Sequence, residues 1–322
     1  MTRREWLSSA AGGLGCLLAG EGLAGARLDP EIIGANTAVT GYSLARAIEL
    51  IAELDFPVIE IQPMGVPEAT PGQFPGFDFD RLPDAERKRI KQSLSNFRMV
   101  TAHLPYTDLH HLSRFAPVAE FSRERVEVAI EGAAYFGSKV SVLHPEEARQ
   151  SLEQSWTERL RLYRRWGDMA KARGMQIALE TGYPRSVVDY VRLIQEIDHS
   201  HIGATIDVGH QARYQELTAR VEPSERGTPK GIKAYNDVTH EIIDRLGPKV
   251  FHFHVHDIEP DTWAEHKPLI HGFVDYPRLV RKLEKIDYRG VLIFEIGGDP
   301  ERMPDYLAEG KRKLEAYLAA EG

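Results

Sequence analysis

Eight short runs rich in β-branched and aliphatic residues recur along the chain, and longer segments of helical periodicity separate them. The runs occupy 32–36, 57–62, 99–104, 139–144, 176–180, 203–208, 250–255 and 291–296. Between them, apolar residues return every three or four positions, as in Leu44, Ala47, Ile48, Ile51 and Ala52, or Trp156, Leu160, Tyr163, Trp166 and Ala170. A strand pattern alternating with a helix pattern predicts βαβ units and a parallel sheet. Eight such units in roughly 290 residues fit a closed (β/α)8 TIM barrel better than an open doubly wound sheet. No Gly-x-Gly-x-x-Gly loop follows the first run, so no nucleotide cofactor is expected. Gly137, Gly174 and Gly290 precede strand runs and read as caps of the preceding helices. The polar stretch 211–236 carries Pro223, Gly227, Pro229 and Gly231 and reads as an extended loop able to act as a lid. No linker divides the chain, so residues 27–322 are expected to form one domain.

The first 26 residues have a different character. A basic start with Arg3-Arg4 leads into a Gly- and Ala-rich apolar stretch and then Ala24-Gly25-Ala26, the layout of a cleaved twin-arginine export signal. The apolar part is shorter than the roughly 20 residues that span a bilayer, so no membrane span is expected. Export implies a periplasmic or extracellular protein. Cys16 is the only cysteine; Gly13 stands where a lipoprotein site prefers a larger aliphatic residue, which disfavours lipid anchoring. Among 322 residues, 48 acidic against 40 basic side chains give a net charge of −8. Such a balance lacks the cationic surface that nucleic acid requires.

Strand parity places chemistry at one point. In a barrel strand alternate side chains face inward. In the seventh run, Phe251, Phe253 and Val255 share the outward parity while His252, His254 and His256 share the inward one. The same rule turns Glu60, His103, His144, Glu180, Asp207, His254 and Glu295 inward near the C-terminal ends of seven strands, where barrels build their sites. Four carboxylates converging on one mouth repel unless protons or a cation compensate. A single divalent ion held by Glu180, Asp207, His254 and Glu295 gives a mixed oxygen and nitrogen site suited to Mn, Mg, Co or Zn.

The segments Ala102-His103-Leu104-Pro105-Tyr106, Leu143-His144-Pro145, Leu179-Glu180-Thr181, Asp207-Val208-Gly209-His210, His252 to Asp257 and Phe294-Glu295, in this order and spacing, resemble the xylose isomerase-like barrel superfamily. That superfamily contains sugar isomerases and epimerases, inosose dehydratases and endonuclease IV. The resemblance implies that Glu180, Asp207, His254 and Glu295 bind the metal, that Glu180 and Glu295 are also the acid/base pair, and that His210 contacts substrate. It places Glu60, His103, His144, His256 and Asp257 around a small carbohydrate or cyclitol, with Trp263 as a loop aromatic for stacking. A β-eliminating lyase, a metal-containing binding barrel and an endonuclease IV-like phosphodiesterase are the alternatives. For the last, His103, His144 and His266 match further metal ligands, but Ala264 stands where that branch has an aspartate. In 265–276, Pro268, Leu269, Gly272 and Asp275 match an isomerase-like segment, whereas Ile270 replaces its first glycine. The C-terminal helical pattern 305–320 is expected to close the barrel or to pack on a partner in a homo-oligomer.

Overall fold

A computed structural model describes residues 27–63, 65, 66, 68, 73, 75–270 and 272–320. The expected export signal, residues 1–26, lies outside them. Eight parallel strands form a closed barrel in sequential order: β1 (Ile33–Asn36), β2 (Val58–Ile61), β3 (Met99–His103), β4 (Ser138–Leu143), β5 (Gln176–Glu180), β6 (Ile202–Asp207), β7 (Val250–Val255) and β8 (Val291–Phe294). Each coincides with one of the eight apolar runs within two residues at either end. Closure brings β1 beside β8, with Gly34 opposite Ile293.

The outer layer consists of α1 (Leu44–Glu53), α2 (Asp84–Leu94), α3 (Ala116–Tyr135), α4 (Leu152–Ala172), α5 (Val187–Ile197), the short α6 (Gln215–Thr218), α7 (Pro229–Leu246), α8 (Tyr276–Lys285) and α9 (Met303–Ala319). Their starts follow local chemistry. Ser43, Ser151, Ser186, Thr228 and Asp275 each cap a first turn by accepting a backbone N–H. Trp156, Tyr163 and Trp166 on α4 are buried, as their helical spacing predicts. Tyr190 on α5 ties helix to barrel by donating its hydroxyl to the Leu179 and Thr205 carbonyls of β5 and β6. α9 seals the ring: Leu307, Leu314 and Leu318 are buried, and the Lys311 ammonium donates to the carbonyls of Leu54 and Asp55.

Two expectations change. Gly137 and Gly174 have φ of +85° and +67°, as helix-ending glycines do, but Gly290 does not cap α8. A Cβ there would collide with the Phe251 carbonyl and the Tyr288 ring, so close packing requires that glycine. The stretch 211–236 is not a free lid. Tyr214, Leu217, Val221 and Tyr235 bury their side chains, and the Tyr235 hydroxyl donates to the Gly209 carbonyl. Its polar residues conceal four apolar anchors that fasten it to the barrel rim.

In the β3–α3 connection, His111 is buried with its ring edge-on to Trp166 at 5.1 Å. Burial, aided by Arg159 and Arg123, pulls its pKa down to about 3. The folded ring therefore refuses a proton that the unfolded chain accepts below about pH 6.5. Its contribution to stability is full above that pH and is lost as pH falls toward 3. For His111→Gln, urea denaturation should show a deficit at pH 7.5 that narrows by about 2 kcal/mol at pH 5; a deficit constant with pH would contradict the buried neutral imidazole.

Candidate metal centre and active site

Each strand delivers its polar side chain where the sheet ends. Glu180 and Asp207 are the last residues of β5 and β6, and Glu60 and His254 each lie one residue before the end of β2 and β7. Glu295 follows β8 directly and His144 follows β4. Glu60, Glu180, Asp207 and His254 are all inaccessible to solvent.

His254 is the hub. Its Nδ1 lies 2.6 Å from Glu180 Oε1, 3.0 Å from Glu295 Oε2 and 3.8 Å from Asp207 Oδ2. The other nitrogen, Nε2, is 2.9 Å from Glu60 Oε1. If Nε2–H donates to Glu60, the Nδ1 lone pair points at anions, and a cation or a second proton must lie between them. The separations bracket the roughly 3 Å between neighbouring ligands that each stand about 2.1 Å from a small divalent ion. Glu180 Oε2 adds an independent sign. His144 Nε2 approaches it to 2.6 Å and His103 Nε2 to 3.4 Å, yet no hydrogen bond reaches this buried oxygen because neither ring is aligned with it. Of the expected ligands, Glu180, His254 and Glu295 come together with His103 in one group able to hold a divalent ion, whereas Asp207, 3.8 Å from His254 Nδ1, groups with His210 and His266.

Electrostatics agrees with that charge count. Burial would raise the Glu180 carboxyl, but His144 and His254 hold it well below the usual carboxylate range. Asp207 and Glu60 behave likewise, depressed against burial by His210 and His256 in one case and by His254 and His252 in the other. Burial opposes protonation of His210 and His103, yet Asp207 and Glu180 raise the first to about 9, and Glu180 raises the second to about 8. Several ionised carboxylates in a dry site need this positive charge, from imidazolium or from metal.

The remaining predicted residues divide into those at the mouth and those beneath it. His144 and His210 are partly exposed, at 24% and 15%. His210 Nδ1 lies 2.9 Å from the Thr181 carbonyl, which leaves Nε2 toward the cavity and 3.9 Å from Asp207 Oδ1. His266 does not join His103 and His144. It groups with Asp207 and His210, while His103 groups with Glu180, His254 and Glu295.

Four expected pocket residues are supports instead. Glu60 is enclosed by His254, His252, Thr101 and Asn36, so no substrate hydroxyl reaches it. His256 is buried and spends Nε2 on Asp207 Oδ1 at 3.0 Å. Asp257 accepts the backbone N–H groups of Ile258, Gly272 and Val274, shaping its own loop; a Cβ at Gly272 would run into this carboxylate. Trp263 is buried, edge-on to Tyr235 at 5.1 Å and beneath the Arg226 guanidinium, so it offers no face to a sugar.

Sequence reasoning passed over Asn36, Thr101 and Tyr106. Asn36 donates to Glu60 Oε1 at 2.8 Å and comes within 3.5 Å of Glu295 Oε1; its signal was a lone polar residue closing an apolar strand. Tyr106 stacks on His144 at 3.9 Å and 13° while remaining 48% exposed.

A family model described as xylose isomerase-like TIM barrel matches residues 48–317. The chain belongs to this family. Among solved structures, a D-tagatose 3-epimerase-like protein is 22% identical with a TM-score of 0.67, covering 89% of this chain and 96% of its own. D-psicose 3-epimerase from Clostridium cellulolyticum H10, crystallised with D-tagatose, is 12% identical with a TM-score of 0.64 over 89% of this chain and 99% of its own. A xylose isomerase-like TIM barrel protein from Mycobacterium smegmatis in complex with magnesium is 18% identical with a TM-score of 0.62 over 89% and 96%. At these identities the likeness shows the shared barrel. Among the described residues, no helix is long and apolar enough to cross a membrane.

Glu60 Oε1, 2.9 Å from His254 Nε2, is placed as the carboxylate partners of metal-binding histidines are, to hold that nitrogen protonated and leave Nδ1 for a cation. Glu60→Gln should weaken divalent metal binding about 10- to 100-fold, read by competition with a chromogenic chelator, with far-UV circular dichroism unchanged. Undiminished affinity would assign Glu60 to packing alone.

Proposed function

We propose that the chain is a divalent-metal-dependent sugar isomerase or epimerase that acts on an unphosphorylated sugar, keto-sugar or cyclitol by removing a proton next to a carbonyl. One observation carries the reading: Glu180 from β5 and Glu295 after β8 approach the same His254 nitrogen, at 2.6 and 3.0 Å, from well-separated strands of the ring. Two carboxylates brought to one point by different strands suit a reaction that takes a proton from one face and returns it to the other. The epimerases of similar fold support the sugar class, and the grouping of Glu180, His254 and Glu295 with His103, with Asp207 Oδ2 3.8 Å from His254 Nδ1, supports the metal.

When bound, the cation supplies positive charge beside the oxygen on which negative charge develops. The protein's own groups do the rest. One glutamate accepts the proton of the C–H bond, and the bonding pair moves into an enediolate. The other donates a proton to the opposite face of the same carbon, giving an epimer; delivery to the adjacent carbon gives an isomer. His210 and His144, both reaching the mouth, orient substrate hydroxyls. His210, whose pKa Asp207 and Glu180 raise to about 9 against burial, favours a second reading, β-elimination. An imidazolium beside the base can protonate a leaving oxygen after the same proton abstraction.

Glu180→Gln and Glu295→Gln should each reduce exchange of the substrate α-proton with deuterium oxide by at least about a thousandfold, within the range of general acid–base contributions. NMR of keto-sugars incubated with metal-loaded protein reads this directly; wild-type exchange in either variant would overturn the two-carboxylate reading. Elemental analysis discriminates the number of ions. One equivalent supports the single centre, whereas two or three zinc ions would place His103, His144, His210 and His266 in a cluster of the endonuclease type.

The leader at residues 1–26 belongs to the same proposal, with the barrel acting outside the cytoplasm after twin-arginine export. Fused to a reporter active only after export, residues 1–26 should confer activity that Arg3→Lys with Arg4→Lys abolishes. Full activity in the double variant would overturn that route.

A further inference from the structure

Two cavities open on the C-terminal face of the barrel and share one wall. The first, about 340 Å3, lies over β5 and β6, with Thr181, Tyr183, His210, Glu265 and His266 in its lining. The second, about 220 Å3, lies between the β3–α3 and β4–α4 connections, with Asp108, His110, His111, Glu146 and Glu147 in its lining. Tyr106, His144 and Pro145 belong to both. The ridge between the two is therefore the Tyr106 ring, laid flat on His144 and about half exposed.

Small-molecule sites span roughly 300–1,000 Å3. The larger lobe, next to the metal ligands, reaches that range by itself, so the second lobe is room beyond what one sugar ring needs. Its wall is chemically specific. Three carboxylates, from Asp108, Glu146 and Glu147, stand with two imidazoles, His110 and His111. Glu147 is paired with Arg185, and Glu146 Oε2 accepts the Leu112 N–H at 2.7 Å, which leaves acceptor capacity on both. His111 is buried, and its Nε2 lies 3.5 Å from Glu146 Oε2 without a hydrogen bond to it or to any other described residue. A buried unpartnered ring nitrogen costs about 1–3 kcal/mol unless a hydroxyl or water reaches it.

Carboxylates that repel anions, acceptors spaced around a small room, an orphaned imidazole nitrogen and an exposed aromatic face together match a neutral polyol. We propose that the lobe between the β3–α3 and β4–α4 connections is a subsite for a glycosyl substituent, so that the substrate is a ketose bearing a second sugar unit across the Tyr106 ridge. This rests on the isomerase or epimerase reading of the metal centre and names its substrate class. The reacting ring occupies the lobe above Glu180 and Glu295, and the second ring exchanges hydrogen bonds with Asp108, His110 and His111.

Titration calorimetry of the magnesium-loaded full chain tests the subsite without turnover. The probes are D-fructose and its glucosylated forms turanose, maltulose, leucrose and palatinose, which differ in the linkage position. At least one disaccharide should bind tenfold or more tightly than fructose. Asp108→Ala and His110→Ala should reduce that ratio below threefold while leaving fructose affinity unchanged. Equal affinity for fructose and all four disaccharides, no binding of any of the five, tighter binding of fructose 6-phosphate, or an unchanged ratio in both variants would each overturn the subsite. Deuterium exchange on the same sugars separates the two ideas. Selective binding without exchange refutes the isomerase or epimerase reading and leaves the subsite standing; exchange with fructose preferred does the reverse.

Discussion

Placing four carboxylates at one end of a closed barrel is a severe electrostatic demand, and the arrangement around it answers that demand. Glu60, Glu180 and Asp207 have no solvent to screen them. Each unpaired buried charge would cost several kcal/mol, so each is matched to imidazoles from β3, β4, β6 and β7. His254 faces Glu60 on one side and Glu180 with Glu295 on the other, linking the carboxylates through one ring. A divalent ion in the space among these side chains would replace diffuse imidazolium charge with a concentrated one. The constellation would then be both stable and Lewis-acidic.

The three histidines of β7 show how a single strand divides the labour by depth. His252, lowest in the barrel, pairs with Glu60 Oε2 at 3.0 Å and has no route to solvent. His254 stands at ligand height. His256 supports Asp207 from the side, while the Tyr276 hydroxyl donates to its carbonyl and anchors α8 to the rim. Their alternation with Phe251, Phe253 and Val255 is a period-two pattern. The polar members perform three tasks only because neighbouring strands present different partners at each level.

Above the candidate metal ligands, the connecting segments shape the approach to them. The chain from 209 to 235 is fastened by buried Tyr214, Leu217 and Tyr235, and Asp257 holds its loop through three backbone N–H groups. The mouth is thus preorganised rather than left to an open loop. Tyr106 and His144 form a rigid ridge across it, and the room on either side sets the size of ligand that fits.

The sequence by itself determined the barrel. Eight strands with alternating parity leave few closed arrangements, and parity alone turned Glu180, Asp207, His254 and Glu295 toward one another. These are local, periodic signals, and backbone geometry converts them into facing directions without reference to distant residues. Depth and partnership were not legible in that way. Glu60 has the same parity as Glu180, yet closure of β2 against β1 and β3 surrounds it with Asn36, Thr101, His252 and His254 and makes it a support. His256 likewise points inward but is consumed by Asp207, and Trp263, placed at the mouth by its loop position, is drawn under Arg226 and against Tyr235. Tyr106, given no role of its own by the sequence motif it closes, becomes the exposed ridge because His144 from the next strand lies beneath it. Periodicity dictates which way a side chain points; only the packed ring decides how deep it sits and what already occupies its polar atoms.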